Sequence, residues 1–301
     1  MSVPVSGSLK DTATKGTVPL VPMAGAQMRE PLLRRVAAHP AVFSLGALLA
    51  TVLLVQLIWA TQIRPRAERI LAEPVAAAGA AAVGAPVTHN LRSVYVILKD
   101  YEQEIAVILG LWALALIGQQ ALAVARNRNL LSREYIELAD GHVVLPDDAR
   151  AYARPLESLA RPEQEMLLPR ALMVALNRFG ATRSVQDSAE AVRAECENEL
   201  DRLDAQLSMV RFTAWAIPAV GFVGTVRGIG RALQEAQGAL HGDISGVTLG
   251  LGVTFNATLT ALICCITVMF FLHQLQQAQD RLVLDARLYI DRRLIRNMRV
   301  H

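Results

Sequence analysis

Four long apolar runs constrain what this 301-residue chain can become, at residues 41–61, 105–125, 212–233 and 247–272. Each is near the roughly 20 residues a helix needs to cross a hydrocarbon core about 30 Å thick. A bilayer offers the backbone no hydrogen-bond partner, so spans of this kind fold as helices. None of the four contains Asp or Glu, and two carry cargo unusual for hydrocarbon. The third holds Pro218, Gly221, Gly224, Thr225 and Gly228, and ends on Arg227 and Arg231; the fourth holds Thr254, Asn256, Thr258 and Thr260. The pattern predicts an all-α membrane protein of four transmembrane helices with long cytoplasmic helical extensions.

Composition agrees, because 53% hydrophobic against 19% charged residues, with a mean hydropathy of +0.32, is too apolar for an ordinary soluble domain. About forty residues of mixed composition precede the first span without a cleavage pattern, which marks a retained anchor rather than a signal peptide. Four spans put both termini on one side. Arg126, Arg128 and Arg133 follow the second span, and Arg281, Arg287, Arg292, Arg293, Arg296 and Arg299 crowd the tail, so the positive-inside rule makes those segments cytoplasmic. Arg64, Arg66 and Arg69 pull the first hairpin the other way and are outnumbered.

The expected organisation is a flexible cytoplasmic segment at 1–40, a transmembrane hairpin at 41–125 with an external loop at 62–104, a cytoplasmic helical region at 126–211, a core at 212–272, and a basic cytoplasmic helical tail at 273–301. The loop contains an Ala/Gly/Pro tract from Pro74 to Pro86 that resembles a tether, and prolines and glycines divide 126–183 into short helices. From Val185 onward, Ala189, Val192, Cys196, Leu200, Leu203, Leu207 and Val210 recur at steps of three and four. This stripe either packs on its own subunit or forms a seam between subunits. No breaker separates it from the third span, which predicts one long helix continuing to a kink at Pro218. A second helix below the membrane is expected after 272, with apolar positions at Leu284, Leu288 and Ile295.

Residues three or four apart share a helix face. Thr254, Thr258, Cys265, Gly250 and Ala261 therefore form one small, partly polar stripe, while Asn256 and Thr260 lie on another face and are candidates for interhelix polar contacts. The stripe either lines a conduit or holds threonines that bond back to the preceding turn. Gly221, Gly224 and Gly228 form a small-residue face for close helix packing. Arg227 and Arg231 are candidate charges at the outer mouth, as snorkelling anchors or an electrostatic barrier.

The spacing Pro-x-x-Gly-x-x-Gly-Thr-Val-x-Gly, matched by Pro218, Gly221, Gly224, Thr225, Val226 and Gly228, resembles the MotA/TolQ/ExbB family of ion-channel subunits. Ala257, Thr258 and Leu262 match the Ala-Thr-x-x-Gly-Leu run of the next helix, with Ala261 in place of its glycine; the resemblance spans roughly residues 205 to 285. Thr267 stands where a proline is common, and Val253 where the TolQ and ExbB branches carry a glutamate. The resemblance implies a homo-pentamer in the bacterial inner membrane surrounding two copies of a single-span ExbD/TolR/MotB-like partner. That partner supplies a membrane aspartate, with Thr225, Thr258 and Thr254 on the ion pathway. A proton path needs a titrating group, and the four runs offer none. Two other readings remain: a non-conducting scaffold, and a specialised motor subunit for phage defence, similar to ZorA, or for surface motility.

Enzyme and cofactor chemistry find no foothold. Phosphate-loop, H-E-x-x-H and Gly-x-Ser-x-Gly patterns are missing, and the six histidines have no metal-ligand spacing. The net charge of +3 rides on scattered arginines without an aromatic platform, which argues against nucleic acid. The three cysteines make no disulfide framework.

Overall fold

The computed structural model describes residues 40–70, 93–131, 135, 143–240, 242 and 244–300. The chain divides into units at 1–43 and 44–301, and residues 1–39 and the 74–86 tract lie outside the described residues. Of the first unit only the opening of helix α1 (Pro40–Ile58) is described. The remainder, among the described residues, is helical: α2 (Val94–Ile97), α3 (Tyr101–Leu131), α4 (Ala149–Glu157), α5 (Arg161–Gln164), α6 (Leu167–Thr182), α7 (Val185–Gln206), α8 (Ser208–Gln234), α9 (Ala236–Leu240) and α10 (Ser245–Arg293). Among the described residues, four stretches are long and apolar enough to cross a membrane, Val42–Ile70, Tyr101–Leu131, Val185–Gly238 and Gly246–Asn297.

The apolar helices share one core. Trp112, Ala113, Leu116 and Ile117 of α3 pack with Val210, Ala214 and Ile217 of α8 and with Ala261, Val268 and Leu272 of α10. Large apolar side chains point away from it and stay exposed, among them Leu53, Trp215, Phe222, Phe255 and Phe270. Such a belt is expected where lipid or further subunits take the place of water. At 49 residues α10 is about 73 Å long by its helical rise, more than twice a hydrocarbon core of about 30 Å. Its far half therefore has to lie outside hydrocarbon.

That far half joins a second core, made with α4, α6 and α7. The α6–α7 hairpin turns on Arg183, whose backbone is left-handed (φ 54°), and on Ser184, whose Oγ accepts from the Asp187 N–H at 3.2 Å as an N-cap. Arg170 of α6 donates to Glu195 and to Glu199 of α7, the latter at 2.6 Å. An isolated parallel bridge between Val144 and Met298 ties the end of the chain to the start of this region.

Two expectations are refined here. The stripe of α7 packs on its own subunit through Val192, Cys196 and Leu203, but Ala189 and Leu200 are exposed. The helix is nearly continuous into α8, broken only at Leu207. On the tail, two of the three expected apolar positions face the wrong way: Leu284 and Leu288 are exposed and Ile295 packs half-buried against the second core, whereas Val283, Ala286, Ile290 and Leu294 are buried against α6 and α7.

Candidate functional site

Helices α8 and α10 run antiparallel and touch through their smallest residues. A Cβ added at Gly221 would lie 2.5 Å from the Ala261 Cβ, and one at Gly224 would lie 2.5 Å from the Ala257 Cβ. At Gly228 it would meet Thr254 Oγ1 and lie 2.8 Å from the Gly250 carbonyl oxygen. Glycine is thus required at three successive turns for this approach. The stripe Gly250, Thr254, Ala257, Ala261 is the α10 side of the seam. Pro218 lies within α8 and, lacking an N–H, leaves the Ala214 carbonyl without its helical donor. The Cys265 thiol donates to that carbonyl across the seam at 3.5 Å, so this cysteine is a polar contact as well as a small residue.

The threonine hydroxyls are occupied locally. Thr225 Oγ1 donates to the Phe222 carbonyl at 2.6 Å, Thr258 Oγ1 to Thr254 at 3.2 Å, and Thr254 Oγ1 to Gly250 at 3.1 Å. Thr254 is buried in the seam, with the Thr225 carbonyl 3.5 Å from its hydroxyl; Thr225 and Thr258 are half-buried. Thr260 is buried and Asn256 half-buried. Both share a face of α10 with Cys264, which lies against Gly110 of α3.

The charged residues hold what the sequence left out. Helix α3 begins at Tyr101, four residues before the apolar run at 105, and its first turn brings Glu102, Gln103 and Glu104 into the bundle, all buried. Glu102 packs beside Gly224, its Cγ 3.2 Å from the position a Cβ would take there, and accepts from Arg227 at 2.6 Å. Asp100 lies 3.8 Å from the same guanidinium. Arg227 is therefore a paired charge inside the bundle and not a free one. Glu104 accepts from Arg64 of the helix that continues α1, at 2.8 Å, and Arg64 stacks over the Tyr101 ring. Arg231 is exposed and lines, with Lys99, Asp100, Glu235, Val253 and Asn256, a cavity of about 610 Å³. Arg227 itself was the signal for the acidic turn, since a guanidinium on a glycine-rich helix face demands a buried acid.

The site thus defines a multi-pass helical membrane protein built around a glycine-lined helix seam capped by a buried ionic layer. Residues 163–287 match the model of the MotA/TolQ/ExbB proton channel family, which bears out the family resemblance and extends it back into α5. No curated protein and no solved structure matches the chain. The matched segment holds the seam and the threonines, and leaves α1, α2 and α3 outside it.

Proposed function

We propose that the chain is the channel-forming inner-membrane subunit of a motor complex driven by the proton-motive force. The observation that carries this reading is the family match over residues 163–287, which contains the glycine seam. Five copies would surround a pair of single-span ExbD/TolR/MotB-like partners, and the partner's aspartate would sit near the level of Thr225 and Thr258. Protons moving through that layer would drive one component against the other, to power work at the cell envelope. Both termini and the segment 126–211 would face the cytoplasm. Reporters fused after residue 150 and at the C-terminus are then expected to behave as cytoplasmic, and one inserted near residue 80 as external; an external signal at 150 would overturn the four-span topology.

The experiment that tests conduction is proton flux into vesicles holding the subunit with its partner. Thr225→Val and Thr258→Val keep side-chain shape and remove a hydroxyl. Assembly should persist while flux falls, because a charged intermediate in a poorly hydrated layer loses roughly 1–3 kcal/mol of stabilisation with each hydrogen bond. Thr51→Val is the control, its hydroxyl bonded only to the Leu48 carbonyl of its own helix. The local bonding of all three channel threonines favours a second reading, a non-conducting scaffold in which they serve their own helices. Wild-type flux in both valine variants would decide for it.

A further inference from the structure

Among the described residues, four buried polar atoms around the first turn of α3 have no hydrogen-bond partner: Gln103 Nε2, Gln103 Oε1, Glu104 Oε1 and Arg227 Nε. Buried polar groups are almost always satisfied by protein or by ordered water. Two of these atoms are donors and two are acceptors. A cation would satisfy only the acceptors and an anion only the donors, whereas water serves both.

Helical register places the orphans in one layer. Glu102 of α3 lies beside Gly224, and Gly224 beside Ala257; further along, Gly110 lies beside Cys264. The two offsets agree, so α3 and α10 run parallel. Gln103, two turns before Gly110 on the same face, therefore stands near residue 257 of α10, at the level of Asn256 and Thr260. Glu102 and Arg227 close the layer toward α8, and Glu104 and Arg64 close it toward α1.

We propose that the first turn of α3 holds ordered water inside the helix bundle and passes protons along it, with Glu104 as the proton acceptor and Gln103 as the relay. The two acids differ in what they can do. Glu102 is fixed by Arg227, with Asp100 behind it. Glu104 is 2% exposed and uses one carboxylate oxygen for Arg64, whose side chain is 36% exposed and lies over the Tyr101 ring. Its other oxygen is open. Hydronium at that oxygen gives water and a neutral carboxyl group; the carboxyl then releases the proton to the next water, whose orientation the Gln103 amide fixes through one donor and one acceptor. The charged and titratable groups around it are Arg64 and Tyr101 on its outer side, and Asp100, Glu102 and Arg227 toward α8. From α10, residues 245–272 add no Asp, Glu, Lys, Arg or His. This route is internal to the subunit, and its carboxylate and amide lie outside the family-matched segment. It deepens the channel reading by giving the chain a carboxylate of its own.

The test uses the subunit alone in lipid nanodiscs, so its outcome is independent of any partner and of vesicle flux. Infrared spectra over a pH series in H2O and D2O should show a protonated-carboxyl band that shifts in D2O, disappears in Glu104→Gln and persists in Glu102→Gln. A band unchanged in folded Glu104→Gln would overturn the proposal. Gln103→Leu, close in volume, decides independently if Glu104→Gln does not fold. In a dry layer leucine removes two orphaned polar atoms, so the unfolding temperature would rise and carboxyl deuteration would keep its rate, and the proposal would fall. In a hydrated layer the unfolding temperature does not rise and deuteration slows.

Discussion

Gly228→Leu is expected to abolish the folded subunit, not merely its assembly. The first carbon of any side chain at this position collides with Thr254 Oγ1 and comes within 2.8 Å of the Gly250 carbonyl oxygen and 2.9 Å of the Thr254 nitrogen. Two of those atoms are backbone, so no rotamer change relieves them. Overpacking a close-fitted interior costs roughly 1–3 kcal/mol and occasionally more, and here relief requires separating α8 from α10. That separation also releases the contacts at Gly221 and Gly224, because one rigid helix carries all three. Gly230→Leu provides the control, since a Cβ there meets nothing within 4 Å. Thermal unfolding and size-exclusion profiles of the detergent-purified variants check the contrast. A Gly228→Leu protein with the wild-type unfolding midpoint would show that the seam is looser than its geometry.

The seam was legible in the sequence because a small residue every third or fourth position on an apolar helix has few uses other than close approach. The spans were legible for the same kind of reason: hydrocarbon imposes length and apolarity and little else. The acidic turn of α3 was not. A span is read from its apolar stretch, and Glu102 and Glu104 precede the first residue of that stretch, Ile105, so the helix start at Tyr101 and the burial of Glu102 were hidden from the apolar pattern. Only the pairing demand of Arg227 pointed there. The tail failed differently. Between Leu282 and Leu294 apolar residues occupy two faces, Leu284 with Leu288 and Val283 with Ala286 and Ile290, and periodicity cannot choose between them. The choice is made by α6 and α7, which are far away in the chain.

The second large effect belongs to the ion pair, and its sign pattern separates a structural bond from a decorative one. Arg227→Leu should destabilise the subunit by about 3–5 kcal/mol, because it strands the Glu102 charge between α3 and α8 without a counter-ion. Glu102→Gln should be milder. The glutamine carbonyl still accepts from the guanidinium, and Asp100 remains 3.8 Å away to balance its charge. The double variant Arg227→Leu with Glu102→Leu should recover most of the loss, since an apolar pair of similar volume in a buried site is often as stable as the ions it replaces. Arg231→Leu, at an exposed position of the same helix, should change little. Denaturant unfolding in one detergent of the wild type, Arg227→Leu, Glu102→Leu and their double variant gives the coupling energy directly as the failure of the single effects to add. If Arg227→Leu proves no worse than Arg231→Leu, the pair does not hold α3 to α8. A strong coupling, by contrast, would mean that α3, which lies outside the family-matched segment, is locked to the glycine seam at the level of Gly224, so that any movement of α8 during a proton cycle must carry the buried acidic turn with it.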